Sequence, residues 1–81
     1  MNELIKNIIG NLEEVEKDDS VPKNIREKVK NSIEALREEN LEMAVKINKA
    51  LQELDDLSED PNIPNYTKTQ IWNAVSLLEG I

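Results

Sequence analysis

The chain contains no cysteine and no histidine. The first absence removes disulfides and zinc–thiolate sites. The second removes the usual general base near neutral pH and the commonest transition-metal ligand. Nucleophilic schemes that pair serine or cysteine with histidine are thereby excluded. Phenylalanine is absent too, and one Trp and one Tyr are too few aromatics to shape a sugar or base site. No apolar run approaches the length of a bilayer span. The opening MNELIKNIIGNLEE is too short and too broken in its apolar stretch for a secretory signal. These features lead us to expect a cytoplasmic chain that is no enzyme and carries no cofactor or resident metal.

Positive charge is also scarce. Ten Lys and Arg face 17 Asp and Glu, for a net charge of −7. A nucleic-acid binder needs a basic footprint to displace counterions from phosphates. Direct nucleic-acid binding is therefore not expected, and anionic membrane is disfavoured for the same reason. A local cluster of Lys23, Arg26, Lys28 and Lys30 leaves room for an accessory place on a nucleoprotein complex. At 81 residues the chain is one domain at the small end of what folds alone. Oligomerisation is a common remedy for so small a core.

Helical periodicity is abundant. Leu4, Ile5, Ile8, Ile9, Leu12 and Val15 recur at three- and four-residue spacing and predict a helix from about Asn2 to Lys17. Gly10 lies inside it at a cost of about 1 kcal/mol against alanine. Ile25, Val29, Ile33 and Leu36 mark a second helix from near Pro22 to near Glu39, with Ser20 as its N-cap. Asn40 caps a third, about Leu41 to Leu57, whose buried face is Met43, Ala44, Ile47, Ala50, Leu51, Leu54 and Leu57. Leu41 and Val45 fall off that stripe, so one of them is expected to be exposed or to touch a neighbour. A fourth helix runs from Pro64 or Asn65 to about Glu79 with Gly80 at its end. Its apolar residues are Ile71, Trp72, Ala74, Val75, Leu77 and Leu78. No segment alternates with the period of a strand.

A shift of 42 residues aligns the halves without a gap. Leu12 falls on Leu54, Val15 on Leu57, Asp18 on Asp60, Val21 on Ile63 and Pro22 on Pro64. Downstream, Val29 meets Ile71, Asn31 meets Asn73, Ile33 meets Val75 and Leu36 meets Leu78. Two amphipathic hairpins would share apolar positions by chance, but not the Asp, Pro and Asn as well. The expected architecture is all-α: two tandem helix–turn–helix repeats, 1–39 and 43–81, within one domain. Four helices then surround one core, as a compact bundle or a very short solenoid. The shared D-x-x-[VI]-P-x-x-x-[RK]-x-x-[VI] pattern resembles the turn of HEAT-type repeats.

The segment Asp60-Pro61-Asn62-Ile63-Pro64, with Lys68 and Ile71-Trp72-Asn73, resembles an uncharacterised family of short archaeal proteins whose signature reads D-P-N-x-P, a basic residue, then I-W-N. The first turn, DDSVPKNIREKV, is similar to that family's first turn, with Asp19-Ser20 where a Pro-Asn pair often stands. This resemblance implies an all-helical fold and an archaeal cytoplasm, and it carries no activity.

Two groups of residues invite a functional reading. Near the hairpin turns stand Glu13, Glu14, Asp18 and Asp19, and again Asp55, Asp56, Glu59 and Asp60. Such carboxylates could hold a hard divalent cation or a small ligand. An EF-hand loop beginning at Asp56 fails, because Pro61 replaces its glycine and Thr67 its bidentate glutamate. Capping of helix ends and turns is the simpler reading. The second group is on the fourth helix. Trp72 falls where the first repeat has Lys30, and Trp72 with Leu77 widens the apolar arc to roughly 220°. Trp72 either closes the chain's own core, over Tyr66 or the N-terminus, or meets another molecule. On the second reading Trp72, Leu77, Tyr66 and Ile81 form an interface for an identical subunit or another protein.

Overall fold

The computed structural model describes residues 3–81. It contains α1 (Glu3–Glu16), α2 (Lys23–Arg37), α3 (Met43–Ser58) and α4 (Asn65–Glu79). Asn2, expected to open the first helix, lies outside the described residues. The four apolar stripes meet in one core. Ile5, Ile8, Leu12, Val15, Ile25, Val29, Leu36, Leu54, Leu57, Ile71 and Leu78 are all buried in it. Val21 and Ile63, one residue before each turn proline, are buried as well and anchor the turns to the helices.

Each helix packs on two neighbours: α1 on α2 and α4, and α3 on α2 and α4. The backbones of the diagonal pairs do not approach each other closely. This closed ring is a bundle, since in a solenoid α3 would stack on α1. The 42-residue shift carries the α2–α3 contact onto the α4–α1 contact, so the halves are related by rotation about the bundle axis. The overall dimensions, 32 × 20 × 18 Å, fit two helices by two in cross-section.

The two hairpin turns have the same hydrogen bonds. Asp18 N–H donates to Val15 O and Val21 N–H to Asp18 O, at 3.2 and 3.1 Å. Asp60 N–H donates to Leu57 O and Ile63 N–H to Asp60 O, at 3.0 and 3.4 Å. In each turn the aspartate Oδ1 also accepts a backbone N–H two residues on, from Ser20 at 2.9 Å and from Asn62 at 2.8 Å. Pro22 and Pro64 follow in extended conformation, and their carbonyls accept Arg26 N–H and Lys68 N–H.

Several expected boundaries need correction. Ser20 does not cap α2; its backbone N–H and hydroxyl both donate to Asp18, and Pro22 is the N-cap with no side-chain bond. Asn40 does not cap α3, which begins after Glu42, and its N–H donates to Glu38 Oε1. Both residues stand two positions before the observed N-cap, so the helix opens after Pro22 and after Glu42 instead. Met43 and Ala44, expected on the buried face, are exposed, because the first turn of α3 stands at the end of the bundle where α4 stops. Val45 is exposed and Leu41 half-buried, as their position off the stripe implies.

Candidate apolar interface on helices three and four

The indole of Trp72 is 53% exposed, so it does not close the chain's own core. Its neighbour Ile71 is completely buried. Lys68, one turn before Trp72, holds its ammonium 5.4 Å from the centroid of the indole, within the range of a cation–π contact. The counterpart of Lys68 behaves differently. Arg26 donates from Nε to Val21 O at 3.0 Å and lies 3.8 Å from Asp19 Oδ1.

The four nominated interface residues do not form one patch. At about 100° per residue, Leu77 lies about 140° around α4 from Trp72, and Tyr66 about 120° from it. Leu77 is half-buried against the core. Its counterpart is Ala35, which lines a polar groove of about 460 Å³ between α2 and α3. The rotation between the halves puts Leu77 in the equivalent place between α4 and α1, where the longer side chain fills space. Tyr66 is 72% exposed on that same α1-facing flank.

Trp72 and Ile81 belong to the other flank, which faces α3. Ile81, with Leu78 and Glu79, lines a groove of about 340 Å³ whose other wall is Ala44, Ile47, Asn48 and Leu51 of α3. Val75 and Trp72 continue the α4 wall toward the turn, about 40° and 20° around the helix from Glu79. Leu51 and Val75 are half-buried.

The first hairpin shows how such a groove can be covered. There Arg37 Nη2 donates to Glu13 Oε2 at 2.7 Å, joining α2 to α1. Ile9 and Ile33, the counterparts of Leu51 and Val75, are 4% and 2% exposed. The counterparts of Glu13 and Arg37 are Asp55 and Glu79, two carboxylates that cannot bridge. No such strap joins the two helix walls, and Trp72 stands on the α4 wall where the first hairpin has Lys30. The sequence does not point to Leu51, Val75, Asp55 or Glu79 as interface residues, and it offers Asp55 only as a cation ligand. The signal that would have found them is the swap of an acid–base pair for two acids across the 42-residue register.

The acidic turns are engaged in local structure. Asp18 Oδ1 accepts the Ser20 hydroxyl at 2.6 Å, and this bond is the main reason its carboxyl sits below the usual value of 3.8. The Ser20 backbone N–H and the Arg26 charge act in the same direction, against partial desolvation. Asp60 Oδ2 accepts from Asn24 Nδ2 at 3.3 Å, and Asp56 Oδ2 pairs with Lys28 Nζ at 3.3 Å. Among the described residues no three carboxylates converge as a cation would need. No described helix is long and apolar enough to cross a membrane.

Fold and surface together define a compact all-α bundle of two similar hairpins, with an uncovered apolar groove on the second. The sequence profile described as "Uncharacterised protein family (UPF0147)" matches residues 1–81, and the chain belongs to that family. A UPF0147 protein of Metallosphaera sedula is 44% identical over 95% of this chain and 86% of its own length. One from Thermococcus kodakarensis is 42% identical over 100% of this chain and 99% of its own. Two crystal structures agree in fold. A protein titled as of unknown function superposes with TM-score 0.94 at 49% identity, covering 98% of this chain and 90% of its own. A UPF0147 member from Thermoplasma acidophilum gives TM-score 0.90 at 31% identity, over 95% and 91%. The expected family and the all-helical fold hold, and the family carries no assigned activity.

Proposed function

We propose that the chain is a non-enzymatic protein-interaction module of the cytoplasm, which offers the α3–α4 groove and its Trp72 flank to another protein surface. The supporting observation is the half-exposed indole beside half-buried Leu51 and Val75, at positions where the first hairpin has a lysine and two buried isoleucines. An indole is costly to leave in water and is the side chain most enriched among binding anchors. The residue inventory favours binding over chemistry, with no histidine or cysteine and only two aromatics.

The test is photo-crosslinking from position 72 in extract of the cells that make the protein, with a crosslinker at Lys30 as internal control. Lys30 is exposed at the equivalent place on α2. A discrete product from position 72 that is absent from position 30 supports the reading. Equal labelling from both, with a monomer in sedimentation at every concentration, overturns it.

A further inference from the structure

We infer that the occupant of the α3–α4 groove is an amphipathic helix of another protein whose apolar stripe is bordered by arginine or lysine. This deepens the interaction reading above and rests on it. The argument is charge complementarity, read from the molecule's own two halves. Where the first hairpin is strapped by Glu13 and Arg37 at 2.7 Å, the second presents Asp55 and Glu79. Both carboxylates are exposed, and neither pairs with a basic side chain of the described residues. The apolar floor of Ile47, Leu51, Val75 and Leu78 lies along the same two helices. A basic side chain delivered from outside would supply beside Asp55 and Glu79 the charge that Arg37 supplies to Glu13.

A helix fits better than an extended segment. The groove walls are the sides of two α-helices, whose backbone groups are already paired within the helix. An extended chain laid there would bury N–H and C=O groups with no partner, whereas a helix satisfies its own. Ala44, Ile47 and Leu51 recur at three- and four-residue spacing, matching the ridges of a third helix. A second copy of this chain is the poorer occupant. A symmetric pair across this groove would bring two sets of Asp55 and Glu79 to one seam, between chains of net charge −7 each. Lys68, the basic residue on that flank, is already seated over Trp72.

Three synthetic helical peptides of about four turns test this, alike in a leucine stripe and bordered by Arg, Gln or Glu. Binding is followed by Trp72 fluorescence at low and high salt. The variants are Asp55→Asn/Glu79→Gln, the control Glu27→Gln/Glu34→Gln with the same charge change on exposed α2 positions, and Asp55→Glu/Glu79→Arg. Circular dichroism confirms that each is folded. The Arg peptide should bind the unmodified protein at least about fivefold more tightly than the others. That advantage should vanish in Asp55→Asn/Glu79→Gln and persist in the control, while Asp55→Glu/Glu79→Arg should weaken all three peptides.

Equal binding of the three peptides, or an Arg advantage lost equally in the control, overturns the basic-helix inference and leaves the apolar interface standing. Unweakened binding to Asp55→Glu/Glu79→Arg overturns it too. No peptide binding together with a concentration-dependent dimer makes the occupant a second copy. No peptide binding by a strict monomer removes both the inference and the interaction reading.

Discussion

Lys68 places its ammonium 5.4 Å from the centre of the Trp72 indole, one helical turn away on the surface of α4. The ring is thus partly shielded by a side chain that can move aside, and not by the core. Trp72→Lys, which installs the first repeat's residue, should change stability by no more than about 0.5 kcal/mol. Ile71→Ala, at the completely buried neighbour, should cost about 2–5 kcal/mol. Urea titration of both variants checks this. A Trp72→Lys cost that rivals Ile71→Ala would show the indole to be structural.

The strap on the first hairpin is a partly exposed ion pair, with Arg37 and Glu13 side chains 52% and 33% accessible. Arg37→Gln should therefore lower stability by at most about 1 kcal/mol, an effect that shrinks as salt screens the pair. The converse change, Glu79→Arg beside Asp55, should raise stability by a similar amount at low salt. Thermal melts at two ionic strengths distinguish the two outcomes. No salt dependence in either variant would mean that the pair does not hold the helices.

Periodicity made all four helices legible, and the 42-residue register made the shared turns legible through Asp18 and Asp60, Pro22 and Pro64. The caps were not legible, because α2 and α3 each open two residues later than the nearest capping side chain, after Pro22 and Glu42. The surface was half legible. The comparison of Trp72 with Lys30 pointed to α4, but an angular count on one helix cannot say which neighbour each flank meets. Leu77 and Trp72 extend the same apolar arc, yet one faces α1 and the other α3. Only the ring of helix contacts separates them, and it brings Leu51 of α3 into the surface.

The Asp18 carboxyl, held below its usual 3.8 chiefly by the Ser20 hydroxyl, contributes stability that is present above the unfolded value. That contribution is lost as pH falls through the lower, folded value. Carbon-detected NMR titration should find Asp18 protonating below 3.8, and Ser20→Ala should move it upward. The acid limb of the stability curve should be shallower in Ser20→Ala than in the unmodified protein. A carboxyl that titrates at or above 3.8 would contradict the hydrogen bond.

Ser32 is buried, and its hydroxyl lies 3.1 Å from Lys28 O and 3.4 Å from Ala50 O. Both acceptors are helix carbonyls inside their ladders, so they keep a backbone donor when the hydroxyl is removed. The counterpart of Ser32 is Ala74, buried in the same place on α4. Ser32→Ala should therefore fall within about 1 kcal/mol of the unmodified protein, the lost bond being offset by better helix propensity. A larger loss on denaturant titration would mean that the Ser32 hydroxyl is what ties α2 to α3.

Gly10 sits in the middle of α1, exposed, and a methyl group built on it meets nothing within 4 Å. Its counterpart, Gln52, carries a long side chain at the same helical position on α3. Glycine there has no conformational need, since no described residue has a positive φ. It only adds backbone freedom to the unfolded chain. Gly10→Ala should then stabilise by about 0.5–1 kcal/mol, a rise of a few degrees, about 2–8 °C, in the melting temperature of a domain this size. Calorimetry reads that rise directly. If alanine lowers the midpoint instead, the methyl group meets a contact in the folded chain, and the position is not the open one described.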